Sequence, residues 1–372
     1  MNNKKIGIIS SNIYMPGGTT RSNINLANEF LTAGHSVTFF NVINRKKIED
    51  SSFKAEHGWI DKAIEVEAVE KLLDTQDYDI FVITRESYFK VAQVIKQQNP
   101  QAFIVGEIHA PLAYLPSDRD ALCPDYIDSY RLATQTIADK FKETYQLNNV
   151  FVFNVSLRHV FDLFEESPSP VTNHLLSYSR FDERQKKLSK AIKLAEILGP
   201  DYTLYLNGYG PDEKMYRNMI VDSKLSNVLV NEKMPEDYVY VSTADYETLG
   251  YSIAEAIAKG KKVILTKGLD GEIFNIYKAF EGIYWLSNED DDSEKIKLFL
   301  NDPLSQLNYD VNKRLLSNEF IVSEYAVKLI KTINNLPKAP KNMVSLNRKK
   351  QLKIIMSLED SLIKKLINKI IK

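Results

Sequence analysis

The sequence predicts an α/β protein of two domains, each built on a parallel sheet. Three observations carry this expectation. The chain has 372 residues, and at roughly 150 residues per domain that length suits two. Short apolar runs alternate with helical patterns twice over, the order expected of a parallel sheet covered on both faces. Between the two alternating stretches, residues 156–173 read SLRHVFDLFEESPSPVTN, where strand-like periodicity lapses and prolines stand among serines and acids, as in a linker.

The first unit opens with KIGIISS at 5–11, then a loop holding Met15, Pro16, Gly17 and Gly18, then a helical pattern to about Ala33. Ile24, Leu26, Ala27, Phe30 and Leu31 keep helical spacing, Gly34 ends the helix, and HSVTFFNVI reads as the next strand. Further strands are expected at 78–84 (YDIFVIT), 102–108 (AFIVGEI) and 148–154 (NNVFVFN). After the linker the alternation restarts, with strands at 174–180, 202–208, 227–231, 237–243 and 261–267 and helices near 184–198, 212–222 and 249–259. No sequence repeat links the halves, so any similarity between them is architectural. The expected division is residues 1–160, 161–336 and a tail from 337 to 372. From Lys338 onward ten Lys or Arg stand against two acids, a net of +8. Leu352, Ile355, Met356, Leu362, Ile363, Leu366, Ile367, Ile370 and Ile371 fall at three- and four-residue spacing, so the tail reads as a basic amphipathic helix. Such a helix suits an anionic membrane surface or a place packed back across the first domain.

Composition narrows the function classes. Hydrophobic residues are 44% and charged residues 26%, ordinary globular usage. Lys plus Arg is 48 and Asp plus Glu 49, a net charge of −1, so no overall basic excess points to nucleic acid. A single cysteine, Cys123, excludes an intramolecular disulfide framework and a Cys-based zinc site. No apolar run approaches the roughly 20 residues of a membrane span, and the start lacks a secretory h-region, so the expected location is cytoplasmic.

Parallel α/β sheets place ligands at the carboxyl ends of their strands, where loops and helix N-termini converge. One such place in the second domain reads Ser242-Thr-Ala-Asp-Tyr-Glu247-Thr-Leu-Gly250-Tyr-Ser-Ile-Ala-Glu255-Ala-Ile-Ala-Lys-Gly260. Glu247 lies in the loop, and Glu255 lies eight residues on, in the helix, on a face that can look back toward it. Two carboxylates so placed can hold separate hydroxyl-bearing parts of one ligand. Thr248, Leu249 and Gly250 bring backbone N–H groups at the helix start, which favour a phosphate. The chemistry suits a phosphorylated sugar.

Here the sequence resembles the GT-B glycosyltransferases, specifically the retaining family 4 type, whose hallmark is two glutamates separated by seven residues. Glu247-Thr-Leu-Gly250 and Glu255-Ala256 with Gly260 fit it. Ser179-Arg180-Phe181, followed by Lys186 and Lys187, resembles the family's Arg and Lys pair that neutralises the donor diphosphate, and leaves open which lysine reaches the phosphate. Leu204 to Pro211, with Gly208, looks like the next strand and its glycine turn. Gly17-Gly18 is similar to the glycine loop that approaches donor and acceptor, with a plain turn as the alternative. His109, in Gly106-Glu-Ile-His109-Ala-Pro111, stands where the family often has an active-site histidine, with a satisfied core histidine as the alternative. The resemblance spans about residues 5–336. One departure is that the usual Gly-x-Pro-Val reads Gly260-Lys261-Lys262-Val263.

The resemblance implies two Rossmann-like domains facing each other across a cleft. It implies retaining, metal-independent transfer from a nucleotide sugar, a UDP-sugar foremost, to an envelope glycan, teichoic-acid-like polymer, lipid-linked or protein-linked acceptor. By the same resemblance Glu255 grips the ribose and Glu247 the transferred sugar, while Arg180 and Lys186 balance the leaving group. No cofactor is expected, the nucleotide sugar being a co-substrate. Asp118-Arg-Asp120 and Asp290-Asp-Asp292 could mark a metal-dependent transferase, but both read as acidic, solvated loops. A non-catalytic sugar-binding or partner subunit is the alternative function. A nicotinamide enzyme would need Gly-x-Gly-x-x-Gly after the first strand, which the residues after Ile9 do not provide.

Overall fold

The structure, a computed structural model, describes residues 3–14, 17–43, 61, 63–287, 293–320, 324–338 and 345–358. Met15, Pro16, Asp290–Asp292 and the apolar tail positions from Leu362 onward lie outside the described residues. The chain forms two compact units, one of residues 1–156 with 322–372 and one of residues 157–321.

The first unit holds β1 (Lys5–Ser10), α1 (Gly18–Thr32), β2 (Ser36–Asn41), β3 (Glu65–Ala68), β4 (Ile80–Ile83), α2 (Val91–Gln98), β5 (Phe103–Glu107), β6 (Ser129–Leu132), α3 (Gln135–Tyr145) and β7 (Val150–Val152). Its sheet runs β3-β2-β1-β4-β5-β6-β7 with every pair parallel. Strand alternation sends side chains to opposite faces, and both faces are apolar. Ile6, Ile8, Phe39, Ile80 and Val82 enter a core with α1, while Ile9, Phe40, Phe81, Ile83 and Ile104 enter one with α2 and α3. Gly7 stands on the second face, where a Cβ would fall 2.4 Å from the Phe81 ring.

The second unit holds α4 (Arg158–Phe161), β8 (His174–Tyr178), α5 (Leu188–Leu198), β9 (Thr203–Asn207), α6 (Glu213–Asp222), β10 (Val228–Val230), β11 (Val239–Ser242), α7 (Tyr251–Ala258), β12 (Val263–Thr266), α8 (Glu272–Tyr277), β13 (Ile283–Leu286), α9 (Ser293–Asn301) and α10 (Gln306–Leu315). Its parallel sheet runs β10-β9-β8-β11-β12-β13. In both sheets the strand order therefore reverses beside the first strand, between β1 and β4 and between β8 and β11. At such a switch point the chain connections diverge, and parallel α/β sheets place their ligands there, at the strands' carboxyl ends.

Two expected boundaries are corrected. Residues 322–336, expected in the second domain, belong to the first unit. Their helix, α11 (Tyr325–Asn334), buries Tyr325, Ala326, Leu329, Ile330 and Ile333 in the core beside α1. Residues 157–160, expected in the first domain, belong to the second, where the linker lies against α7: Ser169 N–H donates to Gly260 O at 3.0 Å. The described part of the tail, helical over 348–358, packs on the first unit. Ile355 and Leu358 enter its core, Arg348 pairs with Asp74 at 2.8 Å, and Gln98 donates to Gln351 at 2.9 Å. Among the described residues no helix is long and apolar enough to cross a membrane.

Candidate active site

The loop after β8 is held by the loop after β9. Ser179 N–H donates to Asn207 O at 3.1 Å and Phe181 N–H to Tyr209 O at 2.9 Å. Such contact requires glycine opposite: a Cβ on Gly208, whose φ is +148°, would lie 1.9 Å from Ser179 O, and one on Gly210 2.2 Å from Phe181 O. Phe181 is fully buried and meets the Tyr216 ring edge-on at 5.7 Å. Arg180 between these anchors stays half exposed, its guanidinium bonded to Asp182 at 2.7 Å and Gln185 at 2.9 Å.

The same loop continues into α5, and here the two lysine candidates part. Lys186 Nζ pairs with the Glu247 carboxylate, both side chains mostly buried. Lys187 takes a left-handed conformation (φ 49°) at the start of α5, and its Nζ lies 3.8 Å from Glu183 and 3.9 Å from Asp245. Thr243 Oγ1, just after β11, lies 3.1 Å from Lys186 O and 2.8 Å from Lys187 O. Asp245 N–H donates to Gln185 O at 2.9 Å. The loops after β8 and β11 are thus laced together where the sheet reverses, and they bring Lys186 and Glu247 into contact across 61 positions of sequence.

From Glu247 the chain passes Thr248 and Leu249 to Gly250, which starts α7 with φ 73°. A Cβ there would lie 2.7 Å from Ile253 and 3.3 Å from Glu247 Cγ, so glycine both permits the turn and leaves room for the glutamate. Leu249 O accepts the Tyr277 hydroxyl at 2.8 Å. The inner face of α7, with Ile253, Ala256 and Ile257, is buried, and its N-terminal N–H groups have no capping side chain from Gly250.

Glu255 Oε1 lies 3.0 Å from His159 Nε2 on α4, and the His159 ring lies 5.6 Å from that of Tyr251. Sequence reasoning missed His159, because its partner is 96 positions away and the linker around it reads as irregular. The two glutamates act on common neighbours. Burial chiefly, with smaller contributions from the Glu247 and Glu255 carboxylates, raises the Tyr240 and Tyr277 hydroxyls above the usual phenol range, against a lowering hydrogen bond with Ser252 at Tyr240. Burial and then Glu255 push Tyr238 up to about 12.

The remaining candidates lie in the first unit. Gly17 precedes α1 with φ 151°, Gly18 opens the helix, and Arg21 N–H donates to Gly17 O at 3.0 Å. His109 lies two residues beyond β5, partly exposed, with Nε2 2.7 Å from Glu107 Oε2. Asp118 caps a short 3₁₀ turn by accepting from Asp120 N–H at 2.9 Å. The two lysines of the departing motif, Lys262 in the proline's place and Lys261 before it, are structural: Lys262 Nζ donates to the carbonyls of Phe299, Leu300 and Asp302 at the end of α9, and Lys261 to Glu236 O at 2.8 Å.

No protein-family model matches the chain. A curated "uncharacterized glycosyltransferase" of Haemophilus influenzae is 23% identical over 359 residues, covering 85% of this chain and 96% of the relative. Among solved structures, a variant of S. aureus TarM in complex with Fondaparinux, α-GlcNAc-glycerol and UDP has a TM-score of 0.72 at 13% identity, over 89% of this chain and 100% of that one. Anabaena HepE with UDP-glucose gives 0.69 at 16%, over 90% and 100%. The pneumococcal O-GlcNAc transferase GtfA with UDP and GlcNAc gives 0.62 at 13%, over 90% and 99%. The chain therefore has the GT-B fold and is a homologue of glycosyltransferases.

Proposed function

We propose that the protein is a retaining, metal-independent glycosyltransferase that moves a sugar from a UDP-sugar to a glycan acceptor of the envelope class, whether teichoic-acid-like, lipid-linked or protein-linked. The meeting of Lys186 with Glu247 at the sheet's reversal carries this reading. Transfer breaks an anomeric C–O bond, with positive charge growing on the sugar ring and negative charge on the diphosphate. A lysine held beside Glu247, with the α7 N-terminus and Arg180 near in sequence, offers cationic stabilisation to the leaving group, and more of it as that charge develops. Glu247 and Glu255 are acceptors for hydroxyls of the sugar and the ribose. UDP is the preferred carrier because TarM, HepE and GtfA were each crystallised with UDP or UDP-glucose. A lipid-linked acceptor would bring the enzyme to the inner face of the membrane, where each basic residue of the tail adds about 1 kcal/mol on an anionic surface.

The test is a panel of UDP-sugars scored by thermal stabilisation and by UDP release, with and without EDTA. A true donor at a hundred times its Kd stabilises by about 2.7 kcal/mol. Glu255→Ala should abolish that shift while leaving the far-UV spectrum unchanged. A wild type that no nucleotide sugar stabilises, or a product with inverted anomeric configuration by NMR, would overturn the reading or its stereochemistry respectively.

A further inference from the structure

Glu107 ends β5 and Arg131 lies on β6, and the two are register partners in the parallel sheet, so their side chains leave the same face. Both are almost fully buried and paired through Glu107 Oε1. Arg131 is held in turn: it donates to Phe153 O at 3.0 Å, to Asn154 O at 2.6 Å and to the Tyr325 hydroxyl. The Tyr325 hydroxyl, at the start of α11, donates in turn to Asn154 O at 2.6 Å. The second oxygen of Glu107 is left for His109, whose Nε2 stands 2.7 Å away.

The chemistry of this chain of contacts runs one way. Burial pushes the Glu107 carboxyl up, but Arg131 and His109 outweigh it and hold it at about 2. A carboxylate ionised at every physiological pH has no proton to give, so the hydrogen in the short contact belongs to His109 Nε2. In the neutral ring the lone pair is then on Nδ1. Burying an ion pair carries a desolvation cost of several kcal/mol per ion, which packing alone does not call for.

We propose that Glu107 is a positioning residue for His109: it accepts the Nε2 proton, fixes the ring's tautomer and presents Nδ1 to accept a hydrogen bond from a hydroxyl of the carbohydrate substrate. This rests on the glycosyl-transfer reading above. Arg131 and Tyr325 hold the carboxylate that holds the ring, which ties the histidine to the segment where the chain returns to the first unit.

The test reads the ring and the reaction separately. Long-range ¹H–¹⁵N spectra of histidine-labelled protein, with His109 assigned through His109→Gln, should show the Nε2–H tautomer in the wild type. Glu107→Gln should convert it to a mixture. Glu107→Asp keeps a charge for Arg131 and draws the oxygen back from the ring, so it gives the same result even where the glutamine variant fails to fold. With UDP-glucose, or the panel's best donor, either variant should lower kcat by about tenfold, the scale of one misplaced hydrogen bond in the transition state, with donor KM changed far less. An Nδ1–H tautomer in the wild type, a tautomer unmoved by both variants, or an unmoved kcat beside a lost tautomer would each overturn the proposal. The spectra need no turnover, so a wild type inactive with every donor would defeat the glycosyl-transfer reading while leaving the tautomer result to be scored on its own.

Discussion

At the scale of single residues, Glu107 links the first unit to acid. Its carboxyl sits at about 2 when folded against an ordinary value of 4.5. A depressed carboxyl contributes stability that is full above the unfolded value and is lost as pH falls through the folded one. The contribution is about 3 kcal/mol at neutral pH and should disappear between pH 4.5 and about 2. Chemical denaturation of the wild type and Glu107→Gln across that window checks it: the gap between the two should narrow as pH falls, and a constant gap would contradict the assignment. His159 acts by different means. It supports one oxygen of Glu255 at 3.0 Å, so His159→Ala should weaken that carboxylate's hold on the donor equally in the bound ground state and in the transition state. A hydrogen bond to a charged group is worth about 1.5 kcal/mol, near tenfold in binding. Donor KM should therefore rise about tenfold with kcat nearly unchanged, and steady-state kinetics that find KM unmoved would remove His159 from the site.

At the scale of elements, Lys262 shows how a departure from a family pattern finds its reason. Its ammonium closes the end of α9 by donating to three carbonyls, and burial lowers its pKa. Lys262→Ala strips those carbonyls of their donor and should cost about 2 kcal/mol, seen as a lower Tm with donor binding at low temperature intact. An unchanged Tm would show that water replaces the ammonium. Nothing in Gly-Lys-Lys-Val foretells this, since the carbonyls lie about forty positions downstream. The same distinction governs what was legible throughout. Strands buried on both faces, such as Ile80–Ile83 and Val263–Thr266 with its first three residues apolar, are short apolar runs and stand out in sequence. Three strands did not. Glu65–Ala68 is an edge strand that alternates exposed glutamates with half-buried residues, Ser129–Leu132 is fully buried yet carries Arg131, and Ile283–Leu286 is a half-buried edge. In the candidate site, the loop position of Glu247, the helical position of Glu255 and the tight turns at Gly208 and Gly250 were readable because turn geometry leaves a local trace. The pairings of Lys186 with Glu247, His159 with Glu255 and Glu107 with Arg131 were not, because only the assembled sheet brings those positions together.

At the scale of the whole molecule, the chain repeats one strand order in two units while distributing them unequally along the sequence. The second unit is a single stretch, residues 157–321, whereas the first needs residues 322–372 to complete it. The second has a core of its own, in which Leu175, Leu204, Val241 and Ile264 from its strands meet Ala191, Ile192 and Ala195 of α5. The first shares a core face with α11, where Tyr325, Leu329, Ile330 and Ile333 are buried. Each large apolar side chain contributes about 1.5–3 kcal/mol on burial, so losing these four removes on the order of 6–12 kcal/mol, comparable with the entire stability of a typical domain. Truncation after Ile321 should therefore unfold the first unit and leave the second folded. The piece 157–321 alone should melt cooperatively and be stabilised by UDP, because Lys186, Glu247 and Glu255 all lie within it. Circular dichroism melts and limited proteolysis of the two truncated proteins decide the matter. A 1–321 protein that melts like the full chain would mean that α11 is dispensable to the first core, and a folded 157–321 piece indifferent to UDP would mean that donor binding is not carried by these residues alone.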